Sequence, residues 1–286
     1  MSLRIHAICL ALNEEPFITE LLKSLYPFCS GISVLSQYDR DWYGVSIKPD
    51  TTVQRVPSFP DPDGKIHLVV RRWRDEAAAR NHEMLALSSR CVRGVRNIMT
   101  HGVPKQEVLQ FHEEPDYFLI VDADEIYDVD TIGNILEYLR RKRPRGMRVL
   151  GYNYVRTWNR RVPPETIRFR QFGFIKPGIL FCMRRTVSWN ESRLSKLLSI
   201  LRLPDFSARI WGFIDCPPEV GVFHHGCWLG DNARLDKKIA TSSHRAELGP
   251  EYRDWIDSIK TVFVPTSELP RNIREGSWRA DFFSSQ

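Results

Sequence analysis

The chain has 286 residues, 42% of them hydrophobic, enough for one large domain or two small ones with a real core. Charged residues at 27% and aromatics at 11% exclude a globally disordered chain. With 41 Lys and Arg against 35 Asp and Glu the net charge is +6, which favours phosphorylated or anionic partners without selecting one.

In chain order, IHAICLAL (5–12) is apolar almost throughout and reads as a buried strand. A helix follows in NEEPFITELLKSLYP, with Phe17, Leu21, Leu25 and Ile18, Leu22 at helical spacing, Asn13 as its cap and Pro16 in its first turn. GISVLSQYD (31–39) is a second strand ending on an acid. The Pro, Asp and Gly content of the next segment, Asp39 to Lys65, predicts a loop too polar and broken to be core. IHLVVRRW (66–73) is a third strand, DEAAARNHEMLALSS (75–89) a helix and YFLIV (117–121) a fourth strand. DVDTIGNILEYLRRKRP is a helix capped by Asp128 or Asp130, with basic residues in its last turn as the macrodipole favours. The second half suggests strands, some antiparallel, in MRVLGYNYVRTW, IRFRQFGFI and GILFCMRR. SRLSKLLSILRLP follows as a short helix, EVGVFHHGCW as a last strand and DNARLDKKIATSSHRAEL as a polar helix. From Pro265 on, the chain reads as a loosely attached tail.

Alternation of strands and helices predicts an α/β fold with a mainly parallel central sheet flanked by helices. Such sheets collect ligands beyond the carboxyl ends of their strands. Asn13, Asp39 and the acids Asp122, Asp124 and Glu125 all lie at such ends. The six cysteines are scattered without a C-x-x-C pair and read as free thiols. No stretch is apolar and long enough to span a bilayer, and the amino terminus lacks the ordered segments of a signal peptide. The expectation is a cytoplasmic chain. RRKRPR (140–145) reads as an exposed helix end, with peripheral docking at the inner face of a membrane as the minority reading.

Two aspartates one residue apart at a strand end make a hard, oxygen-rich site suited to Mg²⁺ or Mn²⁺ together with substrate phosphates. Strand alternation puts Asp122 and Asp124 on one side if the extended backbone persists through Ala123. The plainer reading is a solvated acidic turn capping the helix over 130–142. An EF-hand is excluded because DADEIYDVDTIG lacks the central Gly and closing Glu. His224 and His225 face opposite ways on a strand, so at most one enters the crevice, to complete a metal site or bind a diphosphate. Lys237 and Lys238 are cations able to stabilise a diphosphate leaving group.

AICLALNEEPFITELLKSL, DEAAARNHEML and DYFLIVDADEIYD, in this order and spacing, resemble the family-2 glycosyltransferases of the GT-A fold over roughly the first half of the chain. FHHGCWLGDNARLDKK resembles the late His-aromatic-Gly-aromatic segment and Lys-bearing helix of some bacterial members. The resemblance implies transfer of a sugar from a nucleotide-sugar donor to a hydroxyl of a glycan or glycoconjugate acceptor, with inversion and with Mn²⁺ or Mg²⁺ as cofactor. It implies that Asn13 and Glu15 lie in the donor loop, that Asp39 approaches the base or ribose, and that Arg80 and Lys237 help hold the donor. Asp122 would bind the ribose or sugar, and Asp124 with His224 the metal. SQYDRDWYGVSIKPD departs from the usual turn after the second strand, so Asp41 or Asp50 could take the role of Asp39. An inverting transfer needs a carboxylate base. Among Glu165, Glu191, Asp215 and Glu219, Glu191 is the first choice, because FCMRRTVSWN before it resembles an acceptor-side segment. Asp215 is the second.

Residues 1–125 are then the nucleotide-sugar and metal half, 126–264 the acceptor half of the same domain and 265–286 a C-terminal tail. A sugar nucleotidyltransferase would want a Gly-rich basic loop where ALNEEPF stands, and an NAD enzyme a G-x-G-x-x-G that is missing. Basic residues are not organised with aromatics into a nucleic-acid module, so no nucleic-acid partner is expected. A catalytically inactive nucleotide- or carbohydrate-binding protein on the same fold is the alternative from another class.

Overall fold

A computed structural model of the chain describes residues 2–37, 39–42, 44–88, 114–167, 169–183, 186–188, 212–241 and 251–276. Its first half alternates as expected: β1 (Ile5–Leu10), α1 (Glu15–Leu25), β2 (Gly31–Ser36), a short α2 (Thr52–Arg55), β3 (Ile66–Val70), α3 (Glu76–Leu87) and β4 (Tyr117–Asp122). The four strands are parallel and lie in the order β3-β2-β1-β4. The chain winds away from β1 on one side for β2 and β3, then returns to its other side for β4. That reversal makes a topological switch point between the carboxyl ends of β1 and β4, the place where open α/β sheets bind ligands.

Continuous apolar runs in β1 and β4 have a simple cause: both strands are buried on both faces. Ala7, Cys9, Leu119 and Val121 belong to the core under α1, where Phe17, Ile18, Leu21, Leu22 and Leu25 are wholly buried. Ile8, Leu10, Phe118 and Ile120 join the opposite core with Ala77, Ala79 and Met84 of α3. The helices thus cover both faces of the sheet.

In the second half come β5 (Glu125–Tyr127), α4 (Ile132–Lys142), β6 (Gly146–Arg156), β7 (Arg160–Arg161) and β8 (Phe169–Ile175). The antiparallel β8 sits between β4 and β6 and carries the sheet onward. β9 (Leu180–Met183) and β10 (Thr186–Ser188) form a separate antiparallel pair. β11 (Phe213–Asp215) and β12 (Phe223–Leu229) run parallel to successive stretches of β6, and β12 also pairs antiparallel with β5. α5 (Asn232–Thr241), α6 (Tyr252–Ser258), β13 (Val262–Phe263) and α7 (Arg271–Arg274) complete the described chain. The α/β class is as expected, with the parallel strands concentrated in the first half and a mixed sheet in the second. The expected helix over SRLSKLLSILRLP lies outside the described residues. Among the described residues no helix is long and apolar enough to cross a membrane.

Several local expectations are corrected. β2 ends at Ser36, short of Asp39. The segment after it is not merely a polar loop. Trp42 and Val56 are buried in the two cores, and wholly buried Asp41 folds a turn by accepting from the Val45 N–H at 2.9 Å. Asn13 does not cap α1. It stands at φ +57°, and the N–H of Glu15 is taken instead by Asp50 from that same segment at 3.1 Å. α4 begins at Ile132 after Thr131, and the Asp128 carbonyl accepts from both N–H groups.

The segment from Pro265 to Gly276 is no loose tail. Leu269 and Ile273 are buried in the main core, Asn272 donates to the Tyr127 carbonyl at 2.8 Å, and Arg271 pairs with Asp130 at 2.8 Å. Its apolar residues are too few and widely spaced to read as a packed element, yet Leu269 and Ile273 both join the main core. Ile273→Ala should therefore cost about 2–4 kcal/mol in denaturant unfolding, the usual range for an isoleucine removed from a core. A change within about 0.5 kcal/mol, the size of an ordinary surface substitution, would mean that the segment is not docked.

Candidate active site

Four segments converge at the switch point. The turn after β1 supplies Asn13 and Glu14, the end of β4 supplies Asp122 and Asp124, β12 supplies His225, and α5 supplies Arg234 and Lys238. Strand geometry does not persist through Ala123. β4 ends at Asp122, and Ala123 and Asp124 form a turn into β5. The turn is held by the Ala123 N–H to the Leu10 carbonyl at 3.0 Å and by the Gly226 N–H to the Asp124 carbonyl at 2.8 Å. Buried Glu125 closes it, accepting from the Asp122 N–H at 3.0 Å. Gly226 is required here: a Cβ at this position would stand 2.8 Å from the Phe17 ring of α1.

With the backbone turned, the two aspartates serve different cations. Asp122 accepts from Arg80 at 2.8 Å. Arg80 itself is fully buried, reaches Glu76 at 3.3 Å and lies against the Phe181 ring. It therefore acts on any ligand only by orienting Asp122, rather than by touching a nucleotide as the resemblance implied. Asp122 keeps 36% of its side chain exposed and is the acid that faces the crevice. Asp124 is 3% exposed, and its Oδ2 lies 2.7 Å from the Lys238 ammonium. The same ammonium contacts Oε1 of Glu14, itself only 5% exposed. Arg234 stands 3.9 Å from Glu14 Oε2 while lying over the Phe17 ring and donating to the Leu229 carbonyl at 2.5 Å. Arg234 and Lys238 share a helix face by their i, i+4 spacing, and Asp231 caps that helix by accepting from the Arg234 N–H at 2.9 Å.

Electrostatics follow from this packing. Burial alone would raise the Asp124 carboxyl, but Lys238 beside it, with His225 and Arg234, holds it well below the usual carboxylate range. Glu14 goes the other way: burial, reinforced by Asp124, lifts it to about 7 against the pull of Lys238 and Arg234. Burial would lower Lys238, yet Asp124 and Glu14 together raise it above the ordinary lysine value.

Of the two histidines, the structure selects the one the sequence reading did not. His225, paired with Asn153 on β6 and Glu125 on β5, places Nε2 3.7 Å from Asp124 Oδ1. Its ring stacks on Phe169 at 4.7 Å and its Nδ1 meets Asn153 Oδ1 at 2.7 Å. That oxygen only accepts, so Nδ1 carries the proton. His224 points to the other face of β12. It is buried against Tyr154, with the hydroxyl 2.7 Å from Nδ1, and burial, helped by Arg161, lowers its pKa to about 3. His224 is thus a core residue and not a ligand of Asp124.

The remaining expected residues scatter. Asn13 borders the site and folds the loop by accepting from the Asp50 N–H at 2.9 Å, while its own Nδ2 is buried and among the described residues has no hydrogen-bond partner. Glu15 turns outward to Arg55 at 2.6 Å. Asp39 is exposed and pairs with Arg72 at 3.3 Å. Asp50 is committed to α1 and Thr52. Lys237 is half-exposed and 4.0 Å from Asp50, so Lys238 and not Lys237 occupies the centre. Asp215 lies opposite Arg148 on β6, five residues before Asn153, or about 17 Å along the strand. There it binds Arg148 at 2.7 Å and Arg170 at 3.3 Å, which removes it from the crevice and from the role of base. Glu191 lies outside the described residues.

The expected Mn²⁺ or Mg²⁺ does not fit this donor set. Among the described residues no three His, Cys, Asp or Glu side chains are grouped to hold a metal ion. Asp124, the expected main ligand, already carries a lysine ammonium.

No family model matches the chain, and no curated protein matches it. Solved structures similar to it include S. aureus TarS, with TM-score 0.32 and 18% identity over 57% of this chain and 23% of that one. TarS 1-349 in complex with UDP-GlcNAc matches at TM-score 0.31 and 18% identity over 55% of this chain and 35% of that one. The complex of TarS 1-349 with UDP matches at 0.31 and 18% over 55% and 36%. The chain spans well under half the length of each. A likeness of this size leaves function to be argued from the chain's own residues.

Two neutral buried histidines make the fold acid-sensitive. Burial lowers both His6 and His224 from 6.5 to about 3. Their contribution to stability is complete above about pH 6.5 and is lost as pH falls toward 3, because the unfolded chain takes up protons that the fold refuses. Between pH 7 and 5 each should cost about 2 kcal/mol. In urea unfolding at those two pH values, His224→Phe should lose about 2 kcal/mol less than the parent chain. An unchanged difference would show that His224 is not held neutral.

Proposed function

We propose that the chain is a glycosyltransferase that moves a sugar from a nucleotide-sugar donor to a hydroxyl of a glycan or glycoconjugate, with inversion. One observation carries this reading: part-exposed Asp122, braced by buried Arg80, and buried Asp124, paired with the Lys238 ammonium, stand together at the switch point of a β3-β2-β1-β4 parallel sheet. A carboxylate there accepts from ribose or sugar hydroxyls, and an ammonium balances a diphosphate. The family-2, GT-A resemblance of the segments that build this crevice supports the same reading.

In the reaction, the acceptor oxygen attacks the anomeric carbon from the face opposite the diphosphate. A new C–O bond forms while the bond to the diphosphate oxygen breaks, its electron pair leaving with the nucleoside diphosphate. The acceptor's proton passes to a carboxylate base, a role we assign to Glu191. To Lys238 and Arg234 we assign the charge that develops on the leaving group, because fixed cations act most strongly there.

The test is thermal stabilisation by a panel of nucleoside diphosphates, followed by turnover of the matching nucleotide sugars. One nucleotide should stabilise the protein, and Asp122→Asn should weaken its binding about 10–100-fold, the value of a hydrogen bond to a charged acceptor. Failure of every nucleotide to shift a well-folded protein would sink the donor site. Binding without turnover would leave a binding protein on this fold.

A further inference from the structure

We propose that Lys238 stands in for the divalent cation at this site, so that the donor diphosphate is held and released without a metal; this deepens the glycosyltransferase reading and rests on it. Glu14 and Asp124 are both nearly inaccessible, at 5% and 3% exposure, and come from the ends of two different strands. Two such carboxylates facing one point are what a divalent ion would require. The point is taken by an ammonium that touches both.

Charge counting supports the assignment. Two carboxylates meet two cations, Lys238 and Arg234, so even with Glu14 ionised these four groups leave no net negative charge for a divalent ion. A divalent ion would have to expel Lys238 or add two uncompensated positive charges to a buried site, at a high desolvation cost. Lys238 keeps 26% of its side chain exposed, above acids that are almost fully covered. An ammonium has three donors. Two go to Glu14 and Asp124, and among the described residues the third has no partner. That third N–H is available to a phosphate oxygen, and the acids beneath fix its position. Asp124 thereby becomes a positioning residue for a cation supplied by the chain itself.

Three measurements test this. Titration of the intact protein with Mn²⁺, followed by the paramagnetic resonance of the free ion, should show no stoichiometric binding up to about 100 µM. Nucleoside diphosphate binding, and transfer from the matching donor, should persist in EDTA within about twofold. Lys238→Met should weaken nucleotide binding at least about tenfold, while Lys238→Arg, which keeps the charge, should retain most of it. Stoichiometric Mn²⁺ binding that Asp124→Asn abolishes, or nucleotide binding that disappears in EDTA and returns with Mn²⁺, would overturn the proposal and leave the glycosyltransferase reading standing. Absence of nucleotide binding both with and without metal would overturn both. The metal titration and the EDTA experiment use the unaltered protein, so neither depends on the variants folding.

Discussion

The Lys238 ammonium holds the centre of this structure by contacting Glu14 and Asp124, partners 224 and 114 residues away along the chain. β1 and β4 must lie side by side to build the sheet, and the turn after each carries an acid, Glu14 or Asp124, that packing removes from water. Two such carboxylates without a cation would repel and remain unsolvated. Breaking a buried pair from one side usually costs several kcal/mol. The arrangement of the first half therefore depends on a helix that the chain makes only after residue 231.

The second aspartate of the pair solves the same problem on the other core. Arg80, with no exposed surface, meets Asp122 from α3 and leaves that acid facing outward. One acid is thus sealed beneath a cation and the other stays partly exposed. The division is made by the turn at Ala123 and Asp124, by Glu125 closing that turn, and by the close approach of Gly226 to Phe17. These contacts tie the backbone that carries the acids to β1, β12 and α1 together. A small residue at 226 is as much a part of the site's geometry as the charges are.

His225 and Asn153 add a wall on the β12 and β6 side of the cluster. The imidazole is clamped between the Phe169 ring and an amide oxygen, which fixes both its plane and its tautomer. β12 carries a register shift just beyond His225. Alternation along the strand separates His224 from His225, but which of them meets Asp124 is set by how β12 pairs with β5 and β6.

What the sequence determined by itself was local. Apolar runs at β1 and β4, helical spacing in α1, the basic last turn of α4 and the acids at strand ends follow from period and composition within a few residues. They were enough to put Asp122 and Asp124 at and just beyond the carboxyl end of β4. The choice of Lys238 over Lys237 and of His225 over His224, the removal of Asp215 to the far end of β6, and the recruitment of Glu14 were decided only in three dimensions. So was the burial of Leu269 and Ile273. Each depends on which partner a side chain meets across more than sixty residues of chain. Identical residue types one position apart look equivalent in sequence, whereas a buried charge tolerates only the neighbour that neutralises it.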